Sequence, residues 1–229
     1  MTEIRTKWTR DEVILALDLL LNSEDKNFSM NDERIIELSE LLSKLPIIPL
    51  KNRNKYFRNT AGVRRQILTF YYSLKKKQKA SHVGIEFYNA YIDYKKDKMN
   101  LNKTADAIKR CMHLADEIKF ADKSEMEGFR EGALLAHLHR YFERSHSRHS
   151  KGKKSGSCCS ICGLKAEHIY TLCDGFLQFH LLIPPEEYRE GMVFTGSDFM
   201  EVCPNCHRVL HQKRPWVTRD NAFSILKTY

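Results

Sequence analysis

The chain has 229 residues, a formal net charge of +9, and 42% hydrophobic and 10% aromatic residues. That length buries one sizeable core or two smaller ones, and the apolar content excludes a disordered chain. No apolar run approaches the roughly 18 residues of a membrane span, residues 1–5 lack the apolar core of a signal peptide, and the charge favours a polyanionic partner.

Taken in order, the spacing predicts a first helix over residues 9–21. Thr9 and Glu12 form a capping box, Trp8 and Val13 a hydrophobic staple, and Val13, Leu17, Leu20 and Leu21 an apolar stripe. A second helix, capped by Ser29 or Asn31, carries Ile35, Leu38, Leu41, Leu42 and Leu45 inward and stops at Pro46 and Pro49. A basic loop follows, in which Arg53, Lys55 and Arg58 are candidates for phosphate contacts. Tyr56 and Phe57 in that loop either stack on a base or pack on the helical core, and burial is the commoner fate of aromatics. A third helix carries Val63, Ile67, Phe70 and Leu74, and further helices fit residues 85–94, 104–120 and 124–145. His137, His139, His146 and His149 lack partners at ligand spacing and read as a solvated or DNA-facing connector. The Ser/Gly-rich stretch 147–157, with Lys151, Lys153 and Lys154, reads as a flexible linker whose charge follows a phosphate backbone.

The C-terminal part carries the chemistry. Of seven cysteines, Cys159, Cys162, Cys203 and Cys206 form two Cys-x-x-Cys pairs, a spacing that lets four thiolates close one structural zinc site. This use of cysteine points to a reducing cytoplasm, with Cys111, Cys158 and Cys173 as buried bystanders. Asp174-Gly175 is a turn signal, and the alternation after it predicts a strand bearing His180. His207 and His211 lie four apart on one helix face. The three histidines together form a candidate site for a divalent ion, open to substrate.

Over residues 159–216 these motifs resemble the HNH nucleases, also called ββα-metal or His-Me finger nucleases. They are most similar to the zinc-stapled, McrA-like branch of bacterial restriction proteins. That branch reads Cys-x-x-Cys-Gly, then Val-His-His-x-x-Pro, then Leu-Cys-Pro-Asn-Cys-His-Arg-x-x-His. Residues 159–163 match the first motif and residues 202–211 nearly all of the last. In the middle motif His180 aligns with the first histidine, a metal ligand, and Leu181 with the second, the general base. Residues 8–12, 15–19, 36–39, 57–59 and 62–63 resemble a DNA-selecting domain that precedes the nuclease in such proteins, and residues 129–132 and 138–144 resemble the connecting segment. Trp216 is expected over the zinc module, with Lys213 and Arg214 reaching phosphate.

The resemblance implies an α+β, mostly α architecture: a helical DNA-reading domain (1–120), a connecting helix and basic linker (121–157), and an HNH domain with structural zinc (158–229). It implies a metal-dependent endonuclease acting on double-stranded DNA in restriction or defence, with modified cytosine as one specificity. Its catalytic ion, held by His180, His207 and His211, is Mg2+, Mn2+, Ni2+ or Zn2+. A homodimer suits the cutting of both strands, and no membrane is involved. Because leucine takes no proton, three expectations stand together. His168 or another group serves as base, the ion alone activates water, or the chain binds DNA without cutting it. On the last, a histidine at 181 creates activity.

Overall fold

The first helix, α1 (Arg10–Asn22), is apolar on nearly every face: Val13, Ile14, Leu15, Ala16, Leu17 and Leu20 are all buried. A helix of that kind must run through the middle of a helical layer, and α2 (Glu33–Lys44), α3 (Thr60–Lys75), α4 (Ile85–Tyr94) and α5 (Lys98–Cys111) pack around it. The computed structural model describes residues 6–48, 50–76, 84–112, 114, 129–149, 158–171 and 175–226. The expected domain limits near 120 and 157 fall outside these residues. No helix among the described residues is long and apolar enough to cross a membrane.

Capping sets where the helices begin. The box at Thr9 and Glu12 forms as the sequence suggests, Thr9 N–H donating to Glu12 Oε2 at 2.7 Å. For α2 the cap is Asp32 rather than Ser29 or Asn31. Its Oδ1 accepts from Arg34 N–H at 3.0 Å while its carboxylate also holds the Arg34 guanidinium. Asp97 caps α5 and starts it ahead of the expected residue 104, accepting from Asn100 N–H at 3.0 Å.

The next helix, α6 (Ala133–His149), starts later than expected, and its cap comes from a distant part of the chain. Asp11, buried in the first turn of α1, accepts from Ala133 N–H at 2.8 Å and Leu134 N–H at 2.9 Å. This places a carboxylate on the positive end of the α6 dipole. The contact requires glycine at 132: its φ is 101°, and a Cβ there would stand 2.6 Å from Asp11 Oδ1.

Two short strands follow, β1 (Gln178–Leu181) and β2 (Phe199–Val202), then α7 (Pro204–Gln212). The strands are antiparallel, with His180 opposite Met200 and Leu181 opposite Phe199. Alternation along a strand sends these two pairs to opposite faces. Leu181 and Phe199 join the main core with the helices, as does Tyr188 from the long β1–β2 connection. Met200 and Val202 join a second core with Cys159, Ile161, Cys203, Cys206 and Leu210. The architecture is thus mostly helical with one small sheet.

Candidate metal centres

Cys159, Cys162, Cys203 and Cys206 gather as the spacing predicts, each offering a sulfur within 4.8 Å of the others. The first pair sits in a turn closed by Gly163 N–H to Cys159 O at 2.9 Å, and Ser160 N–H to Glu201 O at 3.0 Å ties that turn to β2. The second pair opens α7, whose first residue is Pro204, a residue already set for a helix start. Four sulfurs about 2.3 Å from one zinc stand roughly 3.8 Å apart. Cys162 Sγ and Cys203 Sγ are 3.7 Å apart, so the cluster is compatible with zinc. Burial acts to raise the Cys159 thiol, but the backbone N–H groups of Cys162, Cys203 and Ile161 outweigh it and bring it down to about 7, favouring a thiolate. Of the three remaining cysteines, Cys111 is buried, Cys158 is half-buried and Cys173 lies outside the described residues.

The three predicted histidines also converge, around a residue the sequence reading missed. Glu143, on α6, is buried, and its Oε1 lies 3.1 Å from His180 Nδ1, 3.0 Å from His207 Nε2 and 3.4 Å from His211 Nε2. His139, one turn before Glu143, places Nε2 2.9 Å from the same oxygen. Its Nδ1 is bonded to the Tyr188 hydroxyl. The connector reading of the α6 histidines therefore fails: His139 and His137 are buried, and His146 stacks on Phe199 with ring centres 3.9 Å apart. α6 is not a solvated link, because it packs between the helical layer and β1. His149 is described in its backbone alone.

Orientation within the cluster is fixed from outside it. His207 Nδ1 is 2.6 Å from Gln178 Oε1, so Nδ1 carries the proton and the Nε2 lone pair points inward. Arg140 donates to His211 Nε2 at 3.2 Å, which likewise makes that nitrogen an acceptor. Trp216 packs here rather than over the cysteines. It stacks on His180 at 5.5 Å between ring centres and contacts Phe129 and His139. Burial drives His180 down to about 4, and burial also lowers His139 and His211, so these imidazoles are neutral at pH 7. Burial acts to raise Glu143, yet the electrostatic interaction with His139 and hydrogen bonds with His139, His180 and His207 hold it well below the usual carboxylate range.

Leu181 stands apart from this chemistry. Its side chain is fully buried in the helical core, and only its backbone reaches the cluster, N–H donating to Glu143 Oε1 at 3.1 Å. A histidine substituted at 181 would enter that core, which removes the expectation that it creates activity. His168 is exposed on the short turn at Ala166–His168 and is not part of the convergent set.

A pocket of about 290 Å³ opens onto the cluster beside His207 and Glu143, lined by Arg140, Arg144, Ser147, Gln178 and Phe179. The basic residues at its mouth lie four apart on α6, a pair the sequence reading did not single out.

Several predicted DNA contacts are spent within the fold. Arg53 donates to Ile48 O at 2.8 Å and Leu45 O at 2.6 Å, closing the end of α2. Arg58 adopts a left-handed φ of 50° and forms a buried pair with Glu12. Arg214 is held by both Glu131 oxygens at 2.6 Å. Lys55, Tyr56 and Lys213 are exposed, so the expected burial of Tyr56 does not occur, and Phe57 is half-buried. Lys151, Lys153 and Lys154 lie outside the described residues.

No family model, curated protein or solved structure matches this chain.

Proposed function

We propose that this chain is a metal-dependent endonuclease of the HNH type acting on double-stranded DNA, with a structural zinc at its four cysteines. The observation that supports it best is the convergence of His180, His207 and His211 beneath a pocket flanked by Arg140 and Arg144. Three imidazole nitrogens held as inward donors suit a divalent ion, and a bound ion supplies Lewis-acid stabilisation of charge developing on a phosphodiester oxygen. The chain's own residues do the rest. Arg140 and Arg144 bring a phosphate to the pocket. Gln178 fixes the tautomer of His207 through the 2.6 Å contact, and Trp216, stacked on His180, excludes water from the back of the cluster. The net charge of +9 agrees with a polyanionic substrate.

A second reading, DNA binding without cleavage, draws support from two observations. Leu181 supplies no base, and His180 and His211 are 0% and 1% exposed. Loss of a general base costs about 10² to 10⁴ in rate.

The deciding experiment incubates purified protein with unmodified, methylated and hydroxymethylated plasmid and each of Mg2+, Mn2+, Ni2+ and Zn2+, beside His207→Ala. Cleavage by the wild type that disappears in His207→Ala supports the nuclease, and the preferred plasmid identifies the specificity. Cleavage that persists in the variant overturns the ligand assignment. DNA bound with no turnover on any substrate favours the second reading.

A further inference from the structure

Glu143 Oε1 is asked to accept more hydrogen bonds than an oxygen can. His139 Nε2, His180 Nδ1 and Leu181 N–H approach it as donors within 3.1 Å, and the lone pair of His207 Nε2 faces it at 3.0 Å, while Oε2 has no hydrogen-bond partner and only an ion-pair contact with Arg140 at 3.6 Å. A carboxylate oxygen offers two lone-pair directions. A second conflict lies beside the first. His207 Nε2 and His211 Nε2 stand 2.9 Å apart, Gln178 and Arg140 mark both as acceptors, and the single lone pair of His211 Nε2 must give up Arg140 to take an ion. Two lone pairs facing each other at that distance repel unless a cation lies between them.

One placement removes both conflicts. Four nitrogen and oxygen donors about 2.0–2.1 Å from a tetrahedral ion stand roughly 3.3 Å apart. Glu143 Oε1 stands 3.1 Å from His180 Nδ1, 3.0 Å from His207 Nε2 and 3.4 Å from His211 Nε2, and the last two nitrogens stand 2.9 Å apart. We propose that Glu143 is the fourth protein ligand of a closed His3Glu site, so that α6 supplies a metal ligand to the strand–helix module. This inference rests on the metal reading of the three histidines and deepens it.

His139 is the other donor within reach, its ligand atom lying within 4.8 Å of those of Glu143, His180 and His211. Its Nδ1 is engaged by the Tyr188 hydroxyl and its Nε2 by Glu143 Oε1, so in the proposed site it stands behind the carboxylate. It is a positioning residue, which aims the carboxylate as groups behind metal ligands commonly do. Gln178 does the same for His207. Four-coordination by protein makes the resting site zinc-like and shut to a free anion such as azide; a phosphate oxygen enters only when the Arg140–Arg144 pocket positions it, in place of Glu143 or as a fifth ligand.

The test counts ions. Wild-type protein reconstituted with Zn2+ and dialysed is expected to hold two ions per chain by elemental analysis. Glu143→Gln is expected to hold one, with its affinity for the second lowered more than about 100-fold. The ion retained by the cysteines reports that the variant is folded. Two ions retained at unchanged affinity in Glu143→Gln overturn the role of Glu143 and leave the nuclease reading standing. One ion in the wild type overturns both. Should Glu143→Gln lose both ions through misfolding, wild-type protein with Co2+ at the histidines decides. Intense four-coordinate visible bands that azide leaves unchanged support the closed site. Weak six-coordinate bands, or bands that azide shifts, overturn it.

Discussion

The two clusters at the ends of α7 differ in where their ligands come from. The cysteine cluster draws on two short segments, each a Cys-x-x-Cys turn, and sits in its own small core with Ile161, Met200, Val202 and Leu210. The histidine cluster draws on β1, α7 and α6, and α6 is itself held by Asp11 of α1 and packed in the helical core. The first is a local staple. The second is an assembly whose geometry depends on most of the protein. Damage to the helical layer should therefore disturb the histidines and spare the cysteines, whereas damage to the cysteines should release α7 and take the histidines with it.

The largest effect expected on this asymmetry comes from Cys206→Ser. Structural zinc in small modules contributes about 10 kcal/mol or more of folding free energy, and the second core is too small to replace it. The variant should lose both ions and unfold around β2 and α7 while α1 to α5 keep their helical signal, as hydrogen exchange would resolve. Retention of protection in α7 would mean that the staple is dispensable.

Leu181→His comes next. The side chain is fully buried between Phe199 and the helices. Replacing it with an unpartnered imidazole should cost about 3 kcal/mol, read as a lower denaturation midpoint at unchanged slope. No gain in plasmid cleavage is expected, and any gain would place residue 181 on the metal side after all.

Gln178→Ala leaves both cores intact and removes the contact that fixes the His207 tautomer. Outer partners of this kind are worth about 10- to 100-fold in metal affinity. A competition titration with a coloured chelator should show that loss at the histidine site and none at the cysteine site. Equal losses at both sites would mean that the two clusters are coupled through α7 rather than separately built.

What was legible in the sequence follows the same division. The cysteines could be read because both pairs have a fixed short spacing, and His207 and His211 because helix geometry brings residues four apart together. The helix over residues 85–94 and the Thr9–Glu12 cap could be read from local pattern alone. Glu143 could not, since it lies 37 residues from its His180 partner and the contact follows only from how α6 packs. One local signal was available: His139 and Glu143 are also four apart, on the helix that Arg140 and Arg144 share. The charges of Arg53, Arg58 and Arg214 misled for a related reason. A guanidinium satisfies carbonyls and carboxylates inside a fold as readily as phosphates outside it, and sequence spacing does not distinguish the two.

The smallest effect, and the one that probes the link between α1 and α6 most directly, is at Asp11. Burial raises its carboxyl to about 6 despite hydrogen bonds from Leu134 and Ala133 N–H. An acid whose folded value lies above its unfolded value binds more protons when folded. Its contribution to stability is therefore complete below about pH 4 and is lost as pH rises through about 6. Asparagine has nearly the same shape and does not titrate. The wild type should accordingly lose about 2 kcal/mol relative to Asp11→Asn between pH 4 and pH 7, the order of magnitude that the raised value implies. Chemical denaturation of both proteins at several pH values measures it. An advantage of the wild type that grew with pH instead would mean that the α6 dipole and its two amides outweigh burial, and that the ionised carboxylate is what holds Glu143 in register with the histidines.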